Sequence, residues 1–172
     1  MKIIVHRLLP CLLHGAFVRH QHNWTMEQRL TIVTLGVSDI TTSTSFYEQT
    51  FGWDKTKDSN EKITFFKLGG ILLSLYPKAD LAEDAGVEDT KIPENGFRGF
   101  TMAHVCRSKA EVDGVFAKLK AAQGGNKHKI VVKEPKEAFW GGYSGYVADP
   151  DGNLWEVAHN PFLKMTEDGA VA

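Results

Sequence analysis

The chain has 172 residues, with 20 Lys and Arg against 21 Asp and Glu and a formal net charge of -1. That length suits one domain, or two small modules sharing a core, and the balanced charge gives no electrostatic case for nucleic acid or an anionic membrane. No run is long and apolar enough to span a bilayer, and two cysteines, Cys11 and Cys106, without metal-type spacing argue against a disulfide framework and for a reducing, cytoplasmic setting.

Residues 1–28 read as a poorly ordered N-terminal extension. Lys2 and Arg7 precede an apolar run over 8–18 that Pro10 and His14 interrupt. A targeting peptide is the alternative, but a secretory signal has a cleaner apolar core with a small-residue cleavage site after it. Gly15-Ala16 lies inside the run instead. His6, His14, His20 and His22 also fall here, with no further pattern to make them a metal site.

The β-branched run over 30–37 predicts a strand. Ser38-Asp39 supplies an N-cap, Ile40, Tyr47 and Phe51 recur at helical spacing, and Gly52 fits the position just past the helix end. The expectation is a helix over 39–51. Strands over 53–57, 63–68 and 71–76 follow, the last two joined by Gly69-Gly70 as a two-residue turn. Residues 77–98 are polar and acidic, with a short helical piece over 79–85. This stretch is either a lid over a site or a solvated linker, and the linker is the favoured reading.

The pattern then restarts. A strand is expected over 99–106, and Ser108-Lys109-Ala110-Glu111 is a capping box. Val112, Val115, Phe116 and Leu119 form the apolar stripe of a helix that Gly124-Gly125 stops. Residues 129–133, with lysines around them, read as an edge strand. Two more strands, 142–148 and 154–159, flank Asp149-Pro150-Asp151-Gly152-Asn153, which has the residues of a tight type I turn. The order β-α-β-β-β thus appears twice, implying two similar modules that bury one face against each other.

The stretch LTIVTLGVSDITTSTSFYEQTFGW, with Val37-Ser38-Asp39, Phe46-Tyr47 and Phe51-Gly52-Trp53, resembles the opening of the vicinal oxygen chelate superfamily. That group holds glyoxalase I, bleomycin-resistance proteins, fosfomycin-resistance enzymes and extradiol dioxygenases. The ending GYVADPDGNLWEVAHNP resembles the same family's closing hairpin. The resemblance implies an α+β fold of tandem βαβββ modules, a curled mixed sheet around a cup-shaped cavity with the helices outside. It places a glyoxalase-like domain over 29–163, with modules 29–77 and 98–161, a linker over 78–97 and a C-terminal tail over 164–172.

In metal-using members up to four side chains on inward-facing strand positions hold a divalent ion. Carried over, these positions fall on Ile32, near Ser74, on Phe100 and on Glu156. Only Glu156 matches a ligand type, and one carboxylate cannot hold such an ion tightly. No cofactor is therefore expected, with a weakly held divalent metal as the alternative.

Strand alternation, taken from Ile32 and Phe100 pointing inward, also turns Thr34, Met102, His104 and Glu156 inward. The expected pocket is mostly apolar, with Ile32, Thr34, Ser74, Phe100 and Met102 lining it and Trp140 and Tyr143 at its rim beside Gly141-Gly142. Glu156 and His104 are the candidate catalytic pair. If they approach, the carboxylate raises the imidazole pKa and makes it a general base. A buried pair without chemistry is the plainer alternative. Cys106 reads as a packed small hydrophobe. The functional expectation is metal-independent binding of a small organic molecule by a homodimer. The alternatives are a glyoxalase-like lyase, isomerase or dioxygenase with Glu156 as metal ligand or base, and an interaction module with no ligand.

Overall fold

A computed structural model of the chain describes residues 28–87, 97–125 and 127–172. The reading of 1–28 as an extension, all but its last residue, and positions 88–96 of the 78–97 linker lie outside these residues. Among the described residues seven strands form two mixed sheets. In the first, β1 (Ile32–Val37) pairs in parallel with β3 (Ile71–Pro77), and β2 (Thr64–Leu68) pairs antiparallel with β3. In the second, β4 (Met102–Cys106) is parallel to β7 (Leu154–His159). Beyond β7, β6 (Tyr143–Ala148) and then β5 (Val131–Glu137) continue antiparallel. Neither sheet closes into a barrel, and β1 and β4 are outer strands.

Each module carries its expected helix. Helix α1 (Ile40–Gln49) begins where the Asp39 carboxylate accepts the Thr42 N–H at 2.6 Å. It ends before Gly52, whose φ of 73° only glycine adopts freely. Helix α2 (Lys78–Asp84) occupies the predicted short helical piece. Helix α3 (Lys109–Gln123) is capped by Ser108, which accepts from the Glu111 N–H at 3.2 Å. Glu111 reaches back one residue further than a standard capping box, to the Arg107 N–H at 2.7 Å.

Three boundaries differ from expectation. The strand expected over 53–57 is reduced to a single bridge between Lys55 and Phe66. Trp53 is instead drawn into an aromatic cluster with Tyr47, Phe51 and Trp155, where burial outweighs ladder formation. The strand expected from Gly99 starts only at Met102. Strand β5 runs later than the lysine-rich stretch suggested and has two register shifts, with Pro135 tolerated because this is an edge. The tail beyond residue 163 folds back, with a bridge between Met165 and Val171.

One continuous core joins the modules. Leu35, Val37, Phe46, Tyr47, Phe66, Leu73 and Leu75 of the first meet Val112, Phe116, Val147, Trp155 and Val157 of the second. Helices α1 and α3 pack on this side of the sheets. Alternation turns exposed Ile32 and Thr34 of one sheet and half-buried Glu156 of the other away from these helices, while Ser74, on the same side, is fully buried. Short α2 crosses this side of the first sheet at Gly36, where a Cβ would stand 3.2 Å from Lys78 and 3.3 Å from Leu81.

Candidate functional site

The closing hairpin is built around its turn. Gly152 has φ of 79°, its N–H bonds to the Asp149 carbonyl at 3.0 Å, and the Asp149 N–H bonds to the Asn153 carbonyl at 3.1 Å. From that turn the register runs outward as Ala148 with Leu154, Val147 with Trp155, and Tyr146 with Glu156. Trp155 and Val157 therefore face the core, and Glu156 faces away from it.

On the inner side the turn binds the first module. Buried Asp149 accepts the Tyr47 hydroxyl at 2.8 Å, and the Trp155 indole N–H reaches that same hydroxyl at 3.2 Å. Asn153 donates to Asp149 from backbone and side chain, both at 2.8 Å. Asp151 accepts the Ser38 N–H and the Ser43 hydroxyl at 2.8 and 2.9 Å, capping the start of α1 from across the chain. Arg98 adds bonds to Asn153 and to the Asp151 carbonyl. Burial raises the Asp149 pKa, opposed by the bonds from Asn153 and Tyr47, and burial also pushes the Tyr47 phenol well above its usual range. These groups hold structure. Asp149 and Tyr47 are fully buried.

On the outer side, Ala103, Glu156, Tyr146 and Lys133 lie in one row across the second sheet. Burial raises the Tyr146 pKa, and the charge of Glu156 and a hydrogen bond to it add to the effect. The Lys133 ammonium stands 5.3 Å from the Tyr146 ring centre. The row thus combines a half-buried carboxylate, a phenol with a raised pKa and an exposed lysine. In the first sheet the matching face carries Thr34, Ser74 and Phe65 in register, with the Thr34 and Ser74 hydroxyls 2.7 Å apart. Ile32 is exposed on the same face, one pair along.

The expected pairing of His104 with Glu156 is corrected. Ala103, not His104, is the register partner of Glu156, and His104 pairs with Val157. Met102, His104 and Cys106 thus share the core-side face with Trp155, and the two candidate catalytic groups lie on opposite faces of one sheet. The alternation counted from Phe100 was displaced by one, because Phe100 lies outside β4 and is exposed.

His104 stands instead at the rim of an open cleft of about 660 Å³, between Val33 and Leu73, the β4 edge and the C-terminal turn. Burial lowers its pKa, with Glu111 opposing, so the ring is neutral at neutral pH. Met102 lines the same cleft. Cys106 is buried, and burial with Glu111 nearby pushes its thiol to about 11, which agrees with a packed, unreactive side chain.

Trp140 and Tyr143 do not come to the Glu156 row. The Trp140 ring covers Gly142, where a Cβ would lie 1.7 Å from it. Tyr143 donates to Asp113 of α3 at 2.9 Å. Sequence reading missed Tyr146 and Lys133 as the neighbours of Glu156. Tyr146 was within reach, since counting outward from the turn places it opposite the carboxylate. Lys133 was not, because the two β5 register shifts flank it.

A divalent metal does not fit this set. Of the positions carried over, Ile32 has no donor atom, Ser74 is engaged with Thr34, Phe100 is outside its strand, and Glu156 stands alone. Among the described residues no group of three or more His, Cys, Asp or Glu could hold an ion. No helix among them is long and apolar enough to cross a membrane.

Residues 29–157 match the family model of the Glyoxalase/Bleomycin resistance protein/Dioxygenase superfamily. No curated protein matches the chain. Among solved structures, it is similar to a glyoxalase-related enzyme from Fulvimarina pelagi, at 34% identity and a TM-score of 0.73, covering 85% of this chain and 98% of that one. It is similar to lactoylglutathione lyase from Agrobacterium tumefaciens at 25% identity and a TM-score of 0.58, covering 79% and 96%. A glyoxalase/bleomycin resistance protein/dioxygenase from Nocardioides shares the fold, at 21% identity and a TM-score of 0.64, covering 78% and 85%.

Proposed function

The chain belongs to the Glyoxalase/Bleomycin resistance protein/Dioxygenase superfamily, and from that premise we propose that it binds a small organic molecule without a metal, on the face of the second sheet that carries Glu156. The observation that carries this reading is the Glu156–Tyr146 pair. A carboxylate at the family's last ligand position stands opposite a phenol in the sheet register, and among the described residues no cluster of further ligand side chains surrounds it. Such a pair presents acceptor oxygens to a polar ligand group, while Ala103 gives the ligand an apolar contact in the same row. Lys133 favours a ligand with a negative end.

The same reading includes a homodimer. Strands β1 and β4 are outer strands, and Leu30, Ile32 and Phe100 expose large apolar side chains at or beside them. A second copy covering these residues would enclose the open faces and bury apolar area that is otherwise wet. Light scattering on the purified protein should give twice the 19.1 kDa chain mass.

A second reading has one specific support, the similarity to a glyoxalase-related enzyme at 34% identity. In it Glu156 acts as a general base on a bound substrate, with Tyr146 as proton donor. A lactoylglutathione lyase assay separates the two. Turnover lost in Glu156→Gln supports the enzyme, and binding without turnover supports the first reading. The binding reading itself is tested by a thermal-shift screen of metabolites against the protein and Glu156→Gln. A shift in the parent that the variant loses supports it. The same shift in both removes Glu156 from the site.

A further inference from the structure

We propose that the cavity on the core side of β7, between α1 and α3, is a second binding site, for a compact monocyclic aromatic carboxylate. It lies behind the sheet face that carries Glu156, so it stands or falls independently of the function proposed above.

The cavity has a volume of about 170 Å³. A dry apolar cavity of roughly 150 Å³ takes up benzene, so this one holds a six-membered ring with one small substituent. Phe51, Trp53 and Trp155 form an aromatic wall, and Val115 and Leu119 of α3 close the opposite side. Trp53 and Trp155 meet edge to face at 5.3 Å between ring centres, and Phe51 meets Trp155 in the same way at 5.7 Å. Faces and edges are thus both offered to a flat guest, the arrangement aromatic rings prefer.

Among the described residues of the lining, the polar side chains are Thr50, His104 and exposed Lys118. Nearby on α3, Lys109 and Lys120 are paired with Glu137 and Glu134, whereas Lys118 has no carboxylate partner among the described residues. An unpaired ammonium at the mouth of an aromatic cavity selects a guest with an anionic end and an apolar body. The carboxylate stays at the wet end beside Lys118, where its charge is not desolvated, and the ring enters. Neutral His104 can supply one N–H donor to the same carboxylate.

Benzoate is the probe, benzyl alcohol its neutral counterpart, and tryptophan emission the signal, because two tryptophans line the cavity. Benzoate should quench saturably and bind at least about fivefold more tightly than benzyl alcohol, the scale of an exposed ion pair. Lys118→Gln, a surface change, should remove that preference and leave benzyl alcohol unaffected. Val115→Phe, which fills the cavity, should abolish binding of both while the far-ultraviolet circular dichroism is unchanged. Glu156→Gln should change neither. Unsaturable quenching, equal affinity for the two probes, a preference that survives Lys118→Gln, or loss of benzoate binding in Glu156→Gln would each overturn the proposal. Should Val115→Phe fail to fold, the Lys118→Gln comparison alone decides.

Discussion

The two faces of the closing hairpin are made by alternate residues of the same strands, yet they differ in nearly every respect. The inner face, with Trp155 and Val157, joins a core and a hydrogen-bonded turn in which Asp149 accepts bonds from Tyr47, Asp151 and Asn153. The outer face, with Glu156 and Tyr146, holds one carboxylate, one phenol and an exposed lysine. A buried carboxylate must be saturated with donors or it costs the fold, whereas a carboxylate left half exposed with one donor keeps acceptor capacity for a ligand. Position relative to the core, and not residue type, separates the structural acid from the candidate functional one.

The largest way to break this contrast is at the inner acid. Asp149→Ala strands the Tyr47 hydroxyl and the Asn153 amide without an acceptor. It should lower unfolding free energy by about 3 kcal/mol or more in urea titration. Gly145→Ala comes next. Its Cβ would stand 2.5 Å from the Phe116 ring and 2.6 Å from the Lys133 carbonyl, and backbone cannot yield cheaply. A loss of about 1–3 kcal/mol is expected, with the melting temperature as the measure. Tyr47→Phe removes only the hydroxyl that links Asp149 and Trp155, and should cost about 1–2 kcal/mol.

The pH dependence gives a sharper test of the same acid. Burial raises the Asp149 pKa above its unfolded value. Between those two values the folded state binds more protons, so stability falls as pH rises through that window and is regained on acidification. Lowered His104 has the opposite sign, losing stability as pH falls below the usual imidazole value. Comparing the stability–pH profile with that of Asp149→Asn should show the acid-side slope becoming less favourable to the folded state at low pH. An unchanged profile would mean that the carboxylate is not held by burial. At the small end, Glu156→Gln should shift stability by no more than about 0.5 kcal/mol, because the outer face is not part of the core. Cys106, with its thiol near pH 11, should resist alkylation at pH 8 until the chain unfolds.

Much of the fold was legible because local signals agreed with one another. Asp39, Ser108, Gly52 and the 149–153 turn each sit where their chemistry demands. The turn even sets the pairing of Tyr146 with Glu156, since a tight hairpin fixes register by counting. What failed was β4. It pairs in parallel with β7 across nearly fifty residues of chain, and no turn transmits register over that distance. A slip of one residue at Phe100 moved His104 and Met102 to the wrong face, and with them the supposed catalytic pair. Trp53 was misread for a related reason. A strand-like stretch lost its ladder to an aromatic cluster assembled from both modules, which no local pattern announces. Lys133 was hidden by the β5 bulges.

The account rests on Glu156 serving a small molecule without a metal. The most direct measurement is a thermal-shift titration of chelator-treated protein against a metabolite panel, repeated with added zinc, nickel or magnesium and with Glu156→Gln. The prediction is a ligand-dependent rise in Tm that is present without metal, unchanged by adding it, and absent from the variant. A shift that appears only once a divalent ion is supplied would contradict it.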